Sequence, residues 1–323
     1  MHQPARSLRL PGSALLRAGL LMLAGLLTGC GSTPTVGPDP AIEQQFLADR
    51  AAALALNDKS YDAEMIKLDQ ALDKYATAWL TSEATAGERV REQLEGHIRQ
   101  VVAKLFARLL TSAEDRTKPH QRVIALAGLG FSGRPEALDP LLNAVRGEEH
   151  EAGGAALFAL AILQDPNTPA TVLGEAIFDE KKPLELRRNA SLALMKLQEK
   201  SYDPSAVLPF WIRALELPIE TADDGIQMHA VRGVGLLRDP QHAHLVERIA
   251  SHPQPKLRVA AAIAMGRMKN ESSLGPLLAL LGPAEKNDNV RLGARKALQE
   301  LSGGIDREYD VAAWRKAFDR GNR

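Results

Sequence analysis

The sequence predicts an all-α protein, an α-solenoid of about six helical hairpins that follow an N-terminal helical region. Aromatic residues make up only 4% of the chain, so the core must consist mainly of Ala, Leu, Val and Ile, which suits close-packed helices better than sheets. Apolar residues recur at helical spacing from residue 41 onward. A motif of small and apolar residues then returns every 31 to 40 residues, a period that indicates stacked helical hairpins.

Composition limits the classes of function. Of the 323 residues, 45% are apolar and 25% are charged, as in an ordinary folded protein. The 40 Lys and Arg residues balance 40 Asp and Glu residues. Because this balance provides no long basic field, we expect no nucleic acid partner.

Residues 1–29 predict a lipoprotein signal peptide. Three arginines before residue 18 form a positive n-region, and residues 18–27 form an apolar run that is short for a membrane-spanning helix. The following LTGC resembles the bacterial lipobox, and this resemblance implies that Cys30 becomes the lipidated N-terminus. An ordinary secretory signal with an incidental cysteine, or an uncleaved anchor, is the alternative. Cys30 is the only cysteine, so its lipidation would leave no thiol for a disulfide, a nucleophile or a zinc site.

Residues 30–40 predict a flexible tether between the lipid and the folded part. This segment is rich in Gly, Pro, Ser and Thr, which bury little apolar surface. Gly31 stands where many inner-membrane lipoproteins of Gram-negative bacteria carry a retention aspartate. The resemblance to this sorting rule therefore implies the outer membrane, with the protein facing the periplasm, if the host is Gram-negative.

Residues 41–118 predict an N-terminal helical region. Two apolar faces recur there at spacings of three and four residues, as in amphipathic helices. They consist of Met65, Leu68, Leu72, Tyr75 and Trp79 in one helix and of Val90, Leu94, Ile98, Val101, Leu105 and Leu109 in the next. A third helix is predicted over 41–57. We interpret the region as a cap that shields one end of the repeats.

Residues 119–323 contain the repeated motif, in which an alanine is followed by two variable residues, Ala or Gly, and then Leu, Val or Met. The copies are ALAGL at 125, ALFAL at 156, ASLAL at 190, AVRGV at 230, AAIAM at 261 and ARKAL at 294. Positions one and four share a helix face, where small residues let a neighbouring helix approach while position five fills the remaining gap. The motif is therefore predicted to be a stacking surface.

The second helix of each hairpin has its own signals. LDPLL at 138 and LGPLL at 274 both begin 13 residues after their motif, which supports the register. Pro140, Pro209 and Pro276 are each predicted to lie at the start of a second helix, where the missing N–H costs nothing.

Residues 290–298 (VRLGARKAL) and 257–266 (LRVAAAIAMG) resemble HEAT repeats, and more closely the short bacterial form called phycobilisome-lyase-like. The resemblance covers about residue 119 to the C-terminus. The final YDVAAWRKAF also resembles a tail that follows bacterial HEAT repeats. There Asp310 is predicted to cap a last helix whose Trp314 and Phe318 close the stack.

The arginine of this family pattern lies three residues before the motif. It is present at Arg122, Arg187, Arg258 and Arg291, whereas Gly153 and Gln227 occupy the position in repeats two and four. The resemblance implies that these arginines pair with carboxylates of adjacent repeats, and binding of an anionic ligand is the alternative.

The sequence carries no recognisable catalytic constellation. It lacks the common nucleotide-binding, hydrolase and zinc-protease motifs. His242 and His244 are two residues apart and would point to opposite sides of a helix, so we expect no metal site there. The acidic residues at 148–151 and 223–224 fall in predicted turns and are expected to be solvated. We therefore expect no catalytic residue, metal or cofactor.

These observations favour a lipid-anchored scaffold or adaptor of the cell envelope that binds other proteins. An enzyme or enzyme partner is an alternative, since the family resemblance includes chromophore lyases. A chaperone-like carrier of envelope proteins or lipid is another alternative.

Two groups of residues are candidates for binding a partner. Phe210, Trp211 and Leu280 are apolar residues in excess of those that one buried stripe of a helix can hold, so at least one of them could contact a partner. Tight packing between repeats would also explain them. Lys269, Arg295 and Lys296 lie in residues 256–323, which carry 13 basic against 8 acidic residues, whereas 119–255 carry 13 against 18. An acidic partner or anionic headgroup would fit this asymmetry, and random drift of surface charge is the alternative.

Overall fold

The structure is a computed structural model that describes residues 63–81, 86–201 and 203–321. Over these three ranges the chain forms 14 α-helices and no strand. This confirms the predicted all-α solenoid. None of the helices in these ranges combines the length and apolarity needed to cross a bilayer. Cys30 and the helix predicted over 41–57 lie outside the described residues.

The chain divides into two compact units, Met1–Ala159 and Leu160–Arg323. In the first unit, helices α1 (Ala63–Thr81) and α2 (Ala86–Glu114) occur where the two apolar faces are predicted. Met65, Leu68, Leu72 and Tyr75 are buried on α1, while Val90 near the start of α2 is 49% exposed. Helices α1 and α2 pack against each other and against the first helix of the repeats.

Twelve further helices follow as six consecutive pairs, in agreement with the predicted hairpins. They are α3 (Pro119–Leu129) and α4 (Leu138–Arg146), α5 (His150–Leu163) and α6 (Ala170–Phe178), α7 (Leu184–Ser201) and α8 (Pro204–Glu216), α9 (Asp224–Leu237) and α10 (Ala243–Ile249), α11 (Pro255–Met268) and α12 (Leu274–Leu281), and α13 (Asp288–Leu301) and α14 (Val311–Gly321).

The repeated motif is a buried surface in every hairpin. The alanines at position one, which are Ala125, Ala156, Ala190, Ala230, Ala261 and Ala294, are all 0% exposed. Positions four and five are buried as well. In the second unit the helices that carry the motif, α7, α9, α11 and α13, pack against one another in series. The prediction that the motif is a stacking surface is therefore confirmed.

The residue after the motif also takes part in stacking. A β-carbon added to Gly266 would lie 2.8 Å from the Cα of Ala297, and one added to Gly235 would lie 2.8 Å from the Cα of Ala264. Ala264 and Ala297 are position four of the following motif. The first helices of consecutive hairpins thus approach backbone to backbone where a glycine of one repeat faces an alanine of the next.

Two second helices begin where the sequence predicts, at Leu138 and Leu274, each after a short 3₁₀ turn. The prediction for Pro209 is wrong. Helix α8 begins five residues earlier, at Pro204, because Asp203 accepts a hydrogen bond from the Ser205 N–H over 2.9 Å and caps the helix. Pro209 consequently lies inside the helix.

The predicted closing helix is present as α14. Asp310 caps it by accepting a hydrogen bond from the Ala313 N–H over 2.9 Å. Trp314 is fully buried, and its ring stacks on that of Phe318 at a centroid distance of 6.3 Å. The indole N–H of Trp314 donates to the carbonyl of Glu308 over 3.0 Å, so a buried polar group of the final helix is satisfied.

Candidate functional site

The structure places Trp211 in the core, which corrects its candidacy as an exposed partner anchor. Its side chain is 0% exposed. The indole N–H donates to Oε1 of Gln198 over 2.8 Å, and Nε2 of Gln198 donates to the carbonyl of Gly233 over 2.8 Å. The indole also packs on Gly233, where an added β-carbon would lie 2.4 Å from Nε1. Only a glycine at this motif position makes room for the ring.

The other two apolar candidates are also engaged within the second unit. Leu280 is 5% exposed, so it is a core residue of α12 and not part of an exposed patch. Phe210 is half-buried and packs its ring against Gly174, where an added β-carbon would lie 2.2 Å from Cε1 of Phe210. Packing between helices, the alternative that the sequence left open, accounts for these side chains.

The three basic candidates divide into two kinds. Lys269 and Lys296 are exposed, and their role in binding stays a prediction. Arg295 instead forms a bidentate ion pair with Asp306 and lies over the ring of Tyr309 at 5.3 Å from its centroid. The hydrogen bond to Asp306 raises the pKa of Arg295 above its usual value. Arg295 is therefore committed to an internal contact.

The four arginines of the family pattern share one arrangement. Each guanidinium donates from Nε or Nη to a backbone carbonyl in the last turn of the preceding helix or, for Arg258, three residues beyond that helix. The bonds are Arg122 to Ala113 at 2.9 Å, Arg187 to Ile177 at 2.8 Å, Arg258 to His252 at 2.8 Å and Arg291 to Leu281 at 3.2 Å. Since helix C-termini leave carbonyls without partners and carry a partial negative charge, Arg122, Arg187 and Arg291 stabilise the end of the helix before them, while Arg258 holds the loop that follows α10.

Two of these arginines also pair with a carboxylate of the next repeat, as the family resemblance implied. Arg122 contacts Glu149, and both Nε and Nη2 of Arg258 donate to Glu285, at 2.8 and 2.9 Å. Glu149 and Glu285 lie 27 residues after their arginines and just before the next first helix. Burial alone would raise the pKa of Glu285, but the hydrogen bonds from Arg258 and the backbone outweigh it and the pKa is lowered.

Arg187 differs from these two. Its Nε bonds to Ile177, but its Nη nitrogens have neither an acceptor nor a carboxylate partner within the ranges that the structure describes. The carboxylate just before α9, the next first helix, is that of Asp223. It pairs with the neighbouring Arg188, whose Nε donates to Oδ1 of Asp223 over 2.8 Å. Asp223 also caps α9 by accepting from the N–H groups of Gly225 and Ile226, both at 3.1 Å. Asp223 is thus a structural residue and not a solvated one, which corrects the interpretation of the acidic pair at 223–224.

A cavity of about 340 Å³ opens beside Arg187. It lies within the second unit, between hairpin three (α7 and α8) and hairpin four (α9 and α10). Its polar wall includes Arg187, Asp223 and Gln227, and its apolar wall includes Leu184 and Leu217. We call it the Arg187 cavity. Leu184 and Leu217 are 42% and 37% exposed, so the apolar wall is open to solvent. The volume lies within the range of small-ligand sites.

Gln227 is the unusual residue of this cavity. Its side chain is 1% exposed, yet neither Oε1 nor Nε2 has a hydrogen-bond partner within the described part of the chain. Burying an amide without partners costs free energy. In the sequence, Gln227 differed from other residues only because it replaces the arginine of the family pattern in repeat four. No sequence signal indicated that it would line a cavity.

One buried pair has the residue types of a nucleophile and a base. The Oγ of Ser191 lies 2.7 Å from Nδ1 of His229. Both side chains are buried, at 0% and 1% exposure. Burial lowers the pKa of His229 to about 3, with a further contribution from the nearby Arg232. The pair lies in the core, out of reach of a substrate, and we assign it a packing role.

No group of three or more metal-ligating side chains occurs among the described residues. His242 instead faces Asp239, with Nδ1 3.0 Å from a carboxylate oxygen, and His244 Nδ1 lies 3.2 Å from the carbonyl of Gln241. The two histidines are therefore engaged separately and near the start of α10.

Comparison with known proteins supports the repeat assignment. Residues 208–299 match the family model of HEAT repeats. This range covers the end of hairpin three, all of hairpins four and five and most of the first helix of hairpin six. None of the curated proteins matches the chain in sequence.

Two solved structures are similar over most of the chain. One chain in the structure of the complex of CpcE and CpcF of phycocyanin lyase from Nostoc sp. PCC7120 is 18% identical to this chain, with a TM-score of 0.39. The match covers 81% of this chain and 98% of that chain. Human deoxyhypusine hydroxylase in complex with glycerol is 16% identical, with coverages of 79% and 96% and a TM-score of 0.29. Neither similarity is high enough to indicate what this chain binds or catalyses.

Proposed function

We propose that this chain is a lipid-anchored binding scaffold of a bacterial cell envelope. The observation that carries the proposal is the match of residues 208–299 to HEAT repeats, together with six hairpins in each of which the motif face of the first helix is buried. Stacked hairpins offer an extended surface on which other molecules bind. The protein acts by binding, with the repeats providing the surface and the tether providing reach from the membrane.

The anchor in this proposal rests on the sequence around Cys30. The positive n-region, the short apolar run and the LTGC sequence agree with one another. Gly31 in place of a retention aspartate supports the outer membrane of a Gram-negative host. One acyl chain binds a bilayer only marginally, whereas the several chains of a lipoprotein hold it firmly.

Cell fractionation tests the anchor. Wild-type protein should be found in the outer-membrane fraction, and Cys30→Ala should appear as a soluble or uncleaved species. A globomycin-type inhibitor should leave an uncut precursor. Gly31→Asp is the matched control for sorting, since it should shift the protein to the inner membrane without removing the lipid. Unchanged membrane extraction of Cys30→Ala, with no precursor under the inhibitor, would contradict lipidation.

Cross-linking in native membranes tests the scaffold role. The wild-type chain should be recovered with the same partner in independent preparations, and the amount of partner should fall when Cys30→Ala moves the chain away from the membrane. Recovery of the chain alone, or with a different set of proteins each time, would speak against a scaffold.

A further inference from the structure

The Arg187 cavity differs from the equivalent places in repeats one and five. In those repeats the arginine faces a glutamate of the next repeat, Glu149 or Glu285. In repeat three the corresponding carboxylate, Asp223, is held by Arg188 and by two backbone N–H groups. Arg187 thus retains unused donors beside a cavity, at the place where repeats one and five have an acidic side chain of the next repeat. A guanidinium fork of this kind matches a carboxylate in shape and charge.

Gln227 provides a second donor at the same cavity. The residue three positions before the motif is an arginine in four of the repeats, but in repeat four it is Gln227. The amide is nine-tenths buried or more and lines the cavity without any partner in the described ranges. Its Nε2 can donate to an anionic oxygen, and its Oε1 can accept from a protonated group. A ligand would therefore satisfy a polar group that folding leaves unpaired.

The apolar residues that line the cavity indicate what the ligand carries besides an anionic group. Leu184 and Leu217 remain more than a third exposed there, and Phe178 extends the apolar wall. A short aliphatic chain bound against these side chains would remove apolar surface from water on both partners. A volume of about 340 Å³ accommodates a group of this size and not a large cofactor.

We propose that the Arg187 cavity binds a carboxylate joined to a short aliphatic group, with Arg187 as the ion-pair partner and the Gln227 amide as a hydrogen-bond donor. This chemistry is found in a small branched-chain acid and in a peptide whose C-terminal residue is leucine. The inference goes beyond the scaffold role and does not depend on the lipid anchor.

Isothermal titration calorimetry on the full chain tests the proposal with 4-methylpentanoate and its neutral isostere 4-methylpentanamide. The acid should bind at about millimolar concentration or below, and the amide at least about tenfold more weakly, because loss of a charge-assisted hydrogen bond costs roughly that factor. A tripeptide Ala-Ala-Leu with a free or an amidated C-terminus separates the two sources. Binding of the free tripeptide assigns the cavity to a chain terminus, and binding of the small acid alone assigns it to a free ligand.

Two substitutions test the named donors. Arg187→Gln and Gln227→Leu should each lower the affinity for the acid about tenfold or more. Gln227→Leu also removes an unpartnered buried amide, so its melting temperature should not fall below that of wild type. Loss of binding without loss of stability distinguishes a ligand contact from a structural role.

Arg267→Gln is the matched control, since Arg267 is an exposed arginine of the same unit that does not line the cavity. Its affinity for the acid should equal that of wild type. The proposal is wrong if neither 4-methylpentanoate nor the tripeptide with a free C-terminus binds, or if 4-methylpentanamide binds as well as 4-methylpentanoate. It is also wrong if Arg187→Gln and Gln227→Leu both keep wild-type affinity for 4-methylpentanoate.

Discussion

Trp211 shows how the role of a single residue depends on a partner far away in the chain. The ring fits only because residue 233 is a glycine and because Gln198 accepts the indole N–H. The sequence around 211 left an exposed anchor and a core residue open, since three large apolar residues in a row fit either. The choice between them required the packing of α8 against α9.

Replacing Trp211 should therefore destabilise the fold. Trp211→Ala is expected to lower the free energy of unfolding by about 3–5 kcal/mol, because it leaves a cavity and an unpaired Gln198 amide. Denaturant unfolding measures this change. Ile263→Ala is the control, since Ile263 is 41% exposed, and should change stability by less than about 1 kcal/mol. A Trp211→Ala protein as stable as wild type would place the indole outside the core.

His229 should make the fold sensitive to acid. Its pKa is lowered to about 3 by burial and by Arg232, whereas an unfolded histidine has a pKa of about 6.5. Between these values the unfolded chain binds a proton that the folded chain excludes. The stabilisation is thus fully present above pH 6.5 and is lost as the pH falls toward 3, with a slope of up to about 1.4 kcal/mol per pH unit.

His229→Gln should flatten this dependence. Urea unfolding at a series of pH values from 7 to 4 should give a shallower decline for the variant than for wild type. His244→Gln is the control, because His244 is exposed, and should reproduce the wild-type slope. Equal slopes for all three proteins would show that His229 titrates alike in both states.

At the scale of helices, the stack depends on the absence of a side chain at the residue after the motif. Gly266→Ala should destabilise the protein by about 1–3 kcal/mol, because the new methyl group would lie 2.8 Å from the Cα of Ala297 and force α11 and α13 apart. Gly96→Ala is the matched control. No atom lies within 4 Å of a β-carbon at Gly96 in the described structure, and the substitution should stabilise α2 by about 0.5–1 kcal/mol.

Thermal or urea unfolding of the two variants measures the contrast. If Gly266→Ala were as stable as Gly96→Ala, the close approach of the two helices would not be a feature of the protein in solution.

Most elements could be predicted because their signals are local. The helix starts at Leu138 and Leu274 followed from the spacing of the motif, and the Asp310 cap followed from its position before an amphipathic run. Pro209 was misplaced because proline marks a helix start in most contexts, while the cap at Asp203 set the actual start. The Arg187 cavity was not predictable, since it depends on Asp223 pairing with Arg188 and not with Arg187.

At the scale of the whole chain, charge is distributed unevenly along the repeats. Residues 119–255 have 13 basic and 18 acidic side chains, and residues 256–323 have 13 and 8. The structure narrows the candidates in the basic part. Arg295 is paired with Asp306, so reversing the charge of Arg295 would break an internal contact. Lys269 and Lys296 are exposed and are therefore the residues to test.

If the basic part binds an anionic surface, the wild-type chain should associate with vesicles containing phosphatidylglycerol, and the association should weaken as salt increases. The Lys269→Glu, Lys296→Glu double variant should bind less and show a shallower salt dependence in vesicle sedimentation. Lys181→Glu combined with Lys200→Glu is the control, because it changes the net charge equally at exposed positions in the acidic part. A local basic surface requires the first pair to matter more than the second, whereas equal effects would mean that only net charge acts and that the asymmetry is drift.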